Sequence, residues 1–179
     1  MSRRRGFTLV ELLVVVVIIA ALAGIAFPLI RTGVRKSHKA TCVTHLRQIG
    51  TGLELYLQEN FQKMPRDWQM SRGSRDEDVP VLETGLAPYI GEDGVFECPA
   101  DKEQFRKTGS SYAWNPLVNG EPAADLELGF GSFVITDDPS RIPLVFDKEG
   151  WHPGGDGGSQ NYLYADQSVE GRVRLSVGP

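Results

Sequence analysis

Cysteine is nearly absent, with two in 179 residues, and histidine is scarce at three. No Cys-x-x-Cys pair, no phosphate-cradling glycine loop and no G-x-S-x-G element occurs anywhere in the chain. His38 and His45 stand seven apart, too far for the i, i+4 pairing that lets one helix face hold a metal. His152, alone in the carboxy-terminal half, reads as a turn or surface residue rather than a general base. The sequence therefore predicts no enzyme and requires no cofactor.

Basic charge is also outnumbered over most of the chain. Seven of the 19 Lys and Arg residues lie before Thr41, leaving 12, whereas Glu11 is the lone acid there, leaving 22 of the 23 Asp and Glu residues beyond it. A body this acidic repels phosphate backbones, so nucleic acid is not an expected partner. With 41% hydrophobic and 23% charged residues the composition suits one modest folded domain plus an appendage.

The appendage is the longest stretch without charge. Residues 12–30 are 19 consecutive uncharged positions. As a helix they span roughly 28 Å, close to the ~30 Å hydrocarbon core of a bilayer. A secretory signal is one reading, with Ala21, Leu22 and Ala23 as its small-residue cleavage site, but the apolar run continues past that site through Ile30. A plain membrane anchor explains the length and leaves Glu11 unexplained, because a carboxylate in hydrocarbon costs on the order of 2.5–3.5 kcal/mol.

The segment RRRGFTLVELL accounts for both features. It resembles the class III leader of type IV prepilins and of type II secretion pseudopilins. The resemblance implies that prepilin peptidase cuts between Gly6 and Phe7, that Phe7 becomes the N-methylated terminus, and that Glu11 neutralises the terminal amine of a neighbouring subunit during assembly. The physical reason is clear: opposite charges attract far more strongly at low dielectric, and a paired carboxylate is tolerated there where a lone one is not. Gly6, without a side chain, lets a protease approach the backbone. Gly24 and Pro28 are expected to interrupt or kink the helix, since proline removes one of its hydrogen bonds, although a harmless membrane proline reads the same way.

Beyond the apolar run, Cys42, Leu46, Ile49, Leu53, Tyr56 and Asn60 recur at alternating four- and three-residue steps, which predicts that the helix continues as an amphipathic stem ending near Asn60 or Pro65. Gly50 and Gly52 weaken that pattern. Residues 64–127 read as a connecting region with short apolar pieces at 86–90, 95–96 and 112–118. Strand signals follow at 133–136, 142–147, 161–165 and 169–175. The expected fold is α+β and pilin-like: a long amino-terminal helix packed on a small antiparallel sheet. The expected organisation is a leader at 1–6, a transmembrane and filament-core helix at 7–30, an amphipathic stem at 31–62 and a periplasmic head at 63–179.

The late segment with His152, a glycine-rich loop, Asn161 and Asp166 resembles a pseudopilin-like group built around His…Asp-Gly. Cys98, Pro99, Ala100 and Asp101, with Ser111, Tyr112, Ala113, Trp114 and Asn115, resemble the same group. Gln167 departs from it by standing where glycine is usual, which makes a two-residue turn less expected. Asp147, Asp156, Asn161 and Asp166 offer oxygen donors, and some secretion pseudopilins hold calcium in a comparable loop, yet the spacing fits no EF-hand and acids in glycine-rich loops are more often solvated or engaged in local turn hydrogen bonds. No ligand is assigned on that basis. Cys42 and Cys98 allow a bridge, about 4 kcal/mol for a loop of about 57 residues, or two separate thiols.

Three function classes follow. The leading expectation is a structural pseudopilin of a type II secretion-like system. Its partners would be prepilin peptidase, other pilin or pseudopilin subunits, an inner-membrane platform with its ATPase, and membrane lipid. The resemblance implies a single-pass inner-membrane protein with its amino terminus cytoplasmic and its head periplasmic, although basic residues on both sides of the span leave the charge rule undecided. A type IV pilus subunit for adhesion, motility or DNA uptake is the alternative. A soluble binding domain released after Ala23 is the third.

Overall fold

The structure is a computed structural model that describes residues 9–130, 133–152 and 160–171. It opens with α1, Leu9–Glu59, a single helix of 51 residues. Gly24 and Pro28 lie inside this continuous run, and the Thr32 hydroxyl donates to the Pro28 carbonyl at 3.0 Å, so the helical assignment is not interrupted at either residue. The helix stops through its own backbone. The Gln62 amide donates back to the Leu57 carbonyl at 2.8 Å, while Phe61 takes a left-handed φ of 57°, together the six-to-one closure of a Schellman end.

The carboxy-terminal half of α1 is the spine of the head. Cys42, Leu46, Ile49, Leu53 and Leu57 are buried along one stripe. Gly50 and Gly52 sit on that stripe for a packing reason. A side chain at Gly50 would collide with Gln167 and crowd Leu163, and one at Gly52 would meet Ile90 Cγ1 at 2.7 Å. The glycines that weaken the helical pattern in the sequence are thus where strand and helix touch the stem backbone.

The region read as a connecting segment with short apolar pieces contains regular elements that the sequence did not assign. It holds α2, Leu82–Ile90, α3, Gln104–Thr108, and a first strand β1, Tyr112–Trp114. The correction has a physical cause: α2 is nine residues long and carries Pro88, and β1 is three residues long, so neither displays enough period to be read. α2 lies against α1, ending at Gly91 in the left-handed region. Between α1 and the sheet, Trp68 contacts Tyr56 and Trp114, with ring centroids 5.3 and 5.2 Å away. Such tilted and edge-to-face aromatic contacts add about 0.5–1.5 kcal/mol each beyond area burial.

A two-stranded ribbon, β2 (Leu128–Phe130) with β3 (Phe133–Thr136), stands apart from the main sheet. The main sheet is antiparallel with order β1-β4-β5-β6, where β4 is Pro143–Asp147, β5 is Tyr162–Tyr164 and β6 is Val169–Glu170. Residues 172–175 of the last expected strand lie outside the described residues. Val145 pairs with Leu163, and Leu163 lies beside the Gly50 backbone, so this face of the sheet looks at α1. Alternation along β4 then turns Asp147, two residues on, to the same face. The fold is the expected α+β arrangement of long helix on small antiparallel sheet.

The turn between β5 and β6 resolves the Asp-Gln departure. Tyr164 N–H donates to the Ser168 carbonyl at 2.9 Å and Gln167 N–H to the Tyr164 carbonyl at 2.9 Å, leaving a three-residue loop in which Gln167 adopts φ 64°. Glycine would enter that conformation without strain, whereas an L residue spends about 1 kcal/mol or more on it. The Gln167 side chain reaches over Gly50 of the stem.

Candidate functional site

Two features stand out, one at each end of the stem. At the amino-terminal end Glu11 lies in the first turn of α1 and is exposed. A carboxylate is favoured there by the partial positive charge of unsatisfied helix N–H groups. Gly6 and Phe7 lie outside the described residues. From Leu9 onward the side chains stand uncovered by the head: Ile25 is 67% exposed, Phe27 59% and Leu29 68%. So much contiguous apolar surface needs lipid or other chains around it. Among the described residues α1 is the one helix long and apolar enough to cross a membrane.

The second feature is a buried polar cluster where α1 enters the head. Cys42 of α1 and Cys98 are joined as a disulfide, Cα to Cα 5.3 Å, across 56 positions. His152 stands beside it, its Nε2 3.5 Å from Cys98 Sγ and 3.4 Å from Asp147 Oδ2. The expectation of a surface histidine is corrected here: His152 is only 3% exposed. Asp147 and Asn161 are fully buried too, and Asp147 Oδ2 accepts both the Asn161 backbone N–H and its side-chain amide at 2.8 Å. Asp147 Oδ1, Asn161 Oδ1 and His152 Nδ1 have no hydrogen-bond partner among the described residues.

Burial governs the charge of this cluster. It pushes the Asp147 carboxyl up to about 7, against the two Asn161 hydrogen bonds and the Lys39 ammonium, which favour the ionised form. It pushes the His152 imidazole down to about 4, aided by the positive Lys39 and by His38. Tyr112, opposite Asp147 across the β1–β4 pair, is raised by the same burial and by the Asp147 charge. Lys148, one residue further on, donates to the Thr108 hydroxyl at 2.8 Å and is lowered by burial to about 8.

The motif residues around Cys98 form a clamp rather than a reactive centre. Asp101 accepts the backbone N–H groups of Glu103, Gln104 and Phe105 at 2.8–2.9 Å, which starts α3. Its other interaction is with the Ser111 hydroxyl at 2.6 Å, and Ser111 Oγ in turn accepts Cys98 N–H at 2.9 Å. Asn115 donates to the Pro143 carbonyl at 2.7 Å and accepts Leu117 N–H at 3.1 Å, fastening β1 to the start of β4. Polar groups paired in this way favour one arrangement of the chain.

Of the four oxygen donors named from the sequence, Asp147 and Asn161 meet. Asp166 instead accepts Ser168 N–H at 3.0 Å inside the hairpin loop, and Asp156 lies outside the described residues. His38 and His45 do not come together on a metal; the His45 ring nitrogen Nδ1 is 2.9 Å from the Glu97 carbonyl. What sequence reasoning missed is the convergence of Cys42, Cys98 and His152, whose ligand atoms all lie within 4.8 Å of one another.

A family model described as the prokaryotic N-terminal methylation motif matches residues 1–27. No solved structure matches the chain.

Proposed function

We propose that this chain is a filament subunit, a pseudopilin of a type II secretion-like system, cut by prepilin peptidase between Gly6 and Phe7 and methylated on Phe7. In this reading residues 1–6 are removed, residues 7–30 lie first in the inner membrane and then in the filament core, and residues 31–62 carry the head, 63–179, on the periplasmic side. The observation that carries it is the coincidence of the matched motif at 1–27 with a helix half that its own head leaves uncovered.

The mechanism is mechanical. Subunits drawn from the bilayer by a platform and its ATPase bury their exposed helix halves against one another, exchanging lipid for protein at little net cost. Glu11 sets register by meeting the methylated amine of Phe7 on an adjacent subunit, a charge pair strengthened by the dry filament core. The same leader serves type IV pilus subunits. Co-purification with a secretin and ATPase of one system or the other distinguishes the two.

The test of the pairing is Glu11→Ala in cells that assemble filaments. Cleavage at Gly6 is expected to proceed nearly as in the parent, while sheared filament yield falls at least tenfold. Undiminished filament yield would remove Glu11 from the assembly mechanism.

A further inference from the structure

The disulfide and its two neighbours are arranged as a metal-binding set. Cys42, Cys98, His152 and Asp147 arrive from α1, from the segment before α3, from the chain after β4 and from the end of β4, and all four are at most 3% exposed. Zinc with Zn–S of about 2.3 Å and Zn–N or Zn–O of about 2.0–2.1 Å in a tetrahedron places sulfur and nitrogen about 3.5 Å apart, and nitrogen and oxygen about 3.4 Å apart. The observed separations are 3.5 Å from Cys98 Sγ to His152 Nε2 and 3.4 Å from His152 Nε2 to Asp147 Oδ2. His152 Nε2 thus sits at ligand spacing both from Cys98 Sγ and from the Asp147 carboxylate, and the ligand atoms of Cys42, Cys98 and His152 lie within 4.8 Å of one another.

We propose that the dithiol form of this protein binds one zinc ion through Cys42, Cys98, His152 Nε2 and Asp147, so that stem and head are clamped either by a disulfide or by a metal. The supporting shell is in place. Asn161 holds the Asp147 carboxylate through two hydrogen bonds, orienting it toward His152. Two thiolates and one carboxylate leave the zinc centre one negative charge in excess, and the Lys39 ammonium, which lies beside Gly171 and favours the ionised form of Asp147, offsets it. Soft thiolates with imidazole select zinc over calcium or magnesium, which favour oxygen donors.

The interconversion balances. A dithiol delivers two electrons and its own two thiol protons to the Cys42–Cys98 bond and becomes a disulfide; a phosphine delivers the two electrons, while one water supplies both protons to the thiols and its oxygen to the phosphine oxide. Zinc then displaces the two thiol protons into solvent. Reoxidation by a protein disulfide reforms the Cys42–Cys98 bond, returns two thiols on the oxidant and expels the ion.

The experiment uses the full chain in detergent micelles, reduced with a phosphine under anaerobic conditions and titrated with Zn2+ and, separately, with Co2+. One ion per chain is expected to survive gel filtration. Cobalt is expected to give a thiolate charge-transfer band together with the intense visible bands of a tetrahedral site, and the disulfide form is expected to bind neither ion. Reoxidation should release one equivalent of Zn2+. His152→Ala and Asp147→Asn, checked by circular dichroism for an intact head, should weaken zinc by at least tenfold. A reduced parent chain that retains no metal, a weak octahedral cobalt spectrum, or affinity unchanged in a folded His152→Ala would each overturn the proposal. The first two readouts need no variant, so a variant that misfolds leaves the test intact.

Discussion

α1 is one continuous helix, yet its two halves live in opposite surroundings. In the carboxy-terminal half Leu46, Ile49 and Leu53 are fully buried under the head, whereas in the amino-terminal half Leu22 and Ile25 are 63% and 67% exposed. Helix propensity cannot explain the difference, since Leu, Ile and Val recur in both. What differs is partnership: one half folds with its own chain, and the other is left uncovered by it, a surface that lipid or copies of itself would complete in the proposed function. Under the proposed function, stability of the head and assembly of the filament are therefore separable properties, each carried by a different half of one element.

The contrast is sharpest for matched leucines. Leu46→Ala should destabilise the head by about 3 kcal/mol, the loss of a buried side chain plus the cavity it leaves. Leu22→Ala should leave the head within about 0.5 kcal/mol of the parent. Denaturant titration of the full chain in detergent, followed by tryptophan emission, measures both. Equal losses would mean that the amino-terminal half packs on the head after all.

The boundary between the halves carries a pH signature in the disulfide form. Asp147 binds its proton more tightly when folded, about 7 against an ordinary 3.8, and His152 less tightly, about 4 against 6.5. Between about pH 4 and 6.5 the unfolded pair holds one proton on the imidazole, and the folded pair also holds one, so its contribution to stability is flat there. Removing one partner exposes the slope of the other. In His152→Phe the folded state keeps a proton that the unfolded carboxyl has lost, so stability should fall as pH rises from about 4 to about 7, by up to about 1.4 kcal/mol per unit. In Asp147→Asn the unfolded state holds the extra proton, so stability should rise with pH over about 4 to 6.5. Denaturation midpoints at several pH values decide; slopes of the same sign in both variants would contradict the account.

The smallest effects belong to glycine. Gly24 has open space around its Cα, so Gly24→Ala should leave head stability unchanged. Gly52→Ala forces a methyl against Ile90 and should cost the head about 1 kcal/mol after the gain in helix propensity is subtracted from the overpacking strain. Melting temperatures of the two variants measured side by side test this, and a stabilised Gly52→Ala would refute the close approach of α2 to the stem.

The stem was legible because its signal is long: 51 residues of apolar run and then apolar stripe leave little room for another structure. The strands at 133–136 and around Val145 and Leu163 were legible through β-branched and aromatic content. α2 and β1 were not, being short and, in α2, carrying a proline that argues against helix. Gln167 shows a different limit. The missing glycine correctly cast doubt on a two-residue turn, but the longer loop is fixed by Gln167 reaching across to Gly50, a contact between distant parts of the chain. The buried cluster was the least legible. Cys98 and His152 are 54 positions apart and Cys42 and Cys98 are 56, so no local spacing joins them.

The central claim is that the uncovered half of α1 is an assembly element created by proteolysis at its amino terminus. Mass spectrometry of the protein extracted from its native membrane tests this most directly. The account predicts a chain that begins at Phe7 and carries one added methyl group on its amine; a chain that begins at Met1, or at Gly24 after signal-type cleavage, would contradict it.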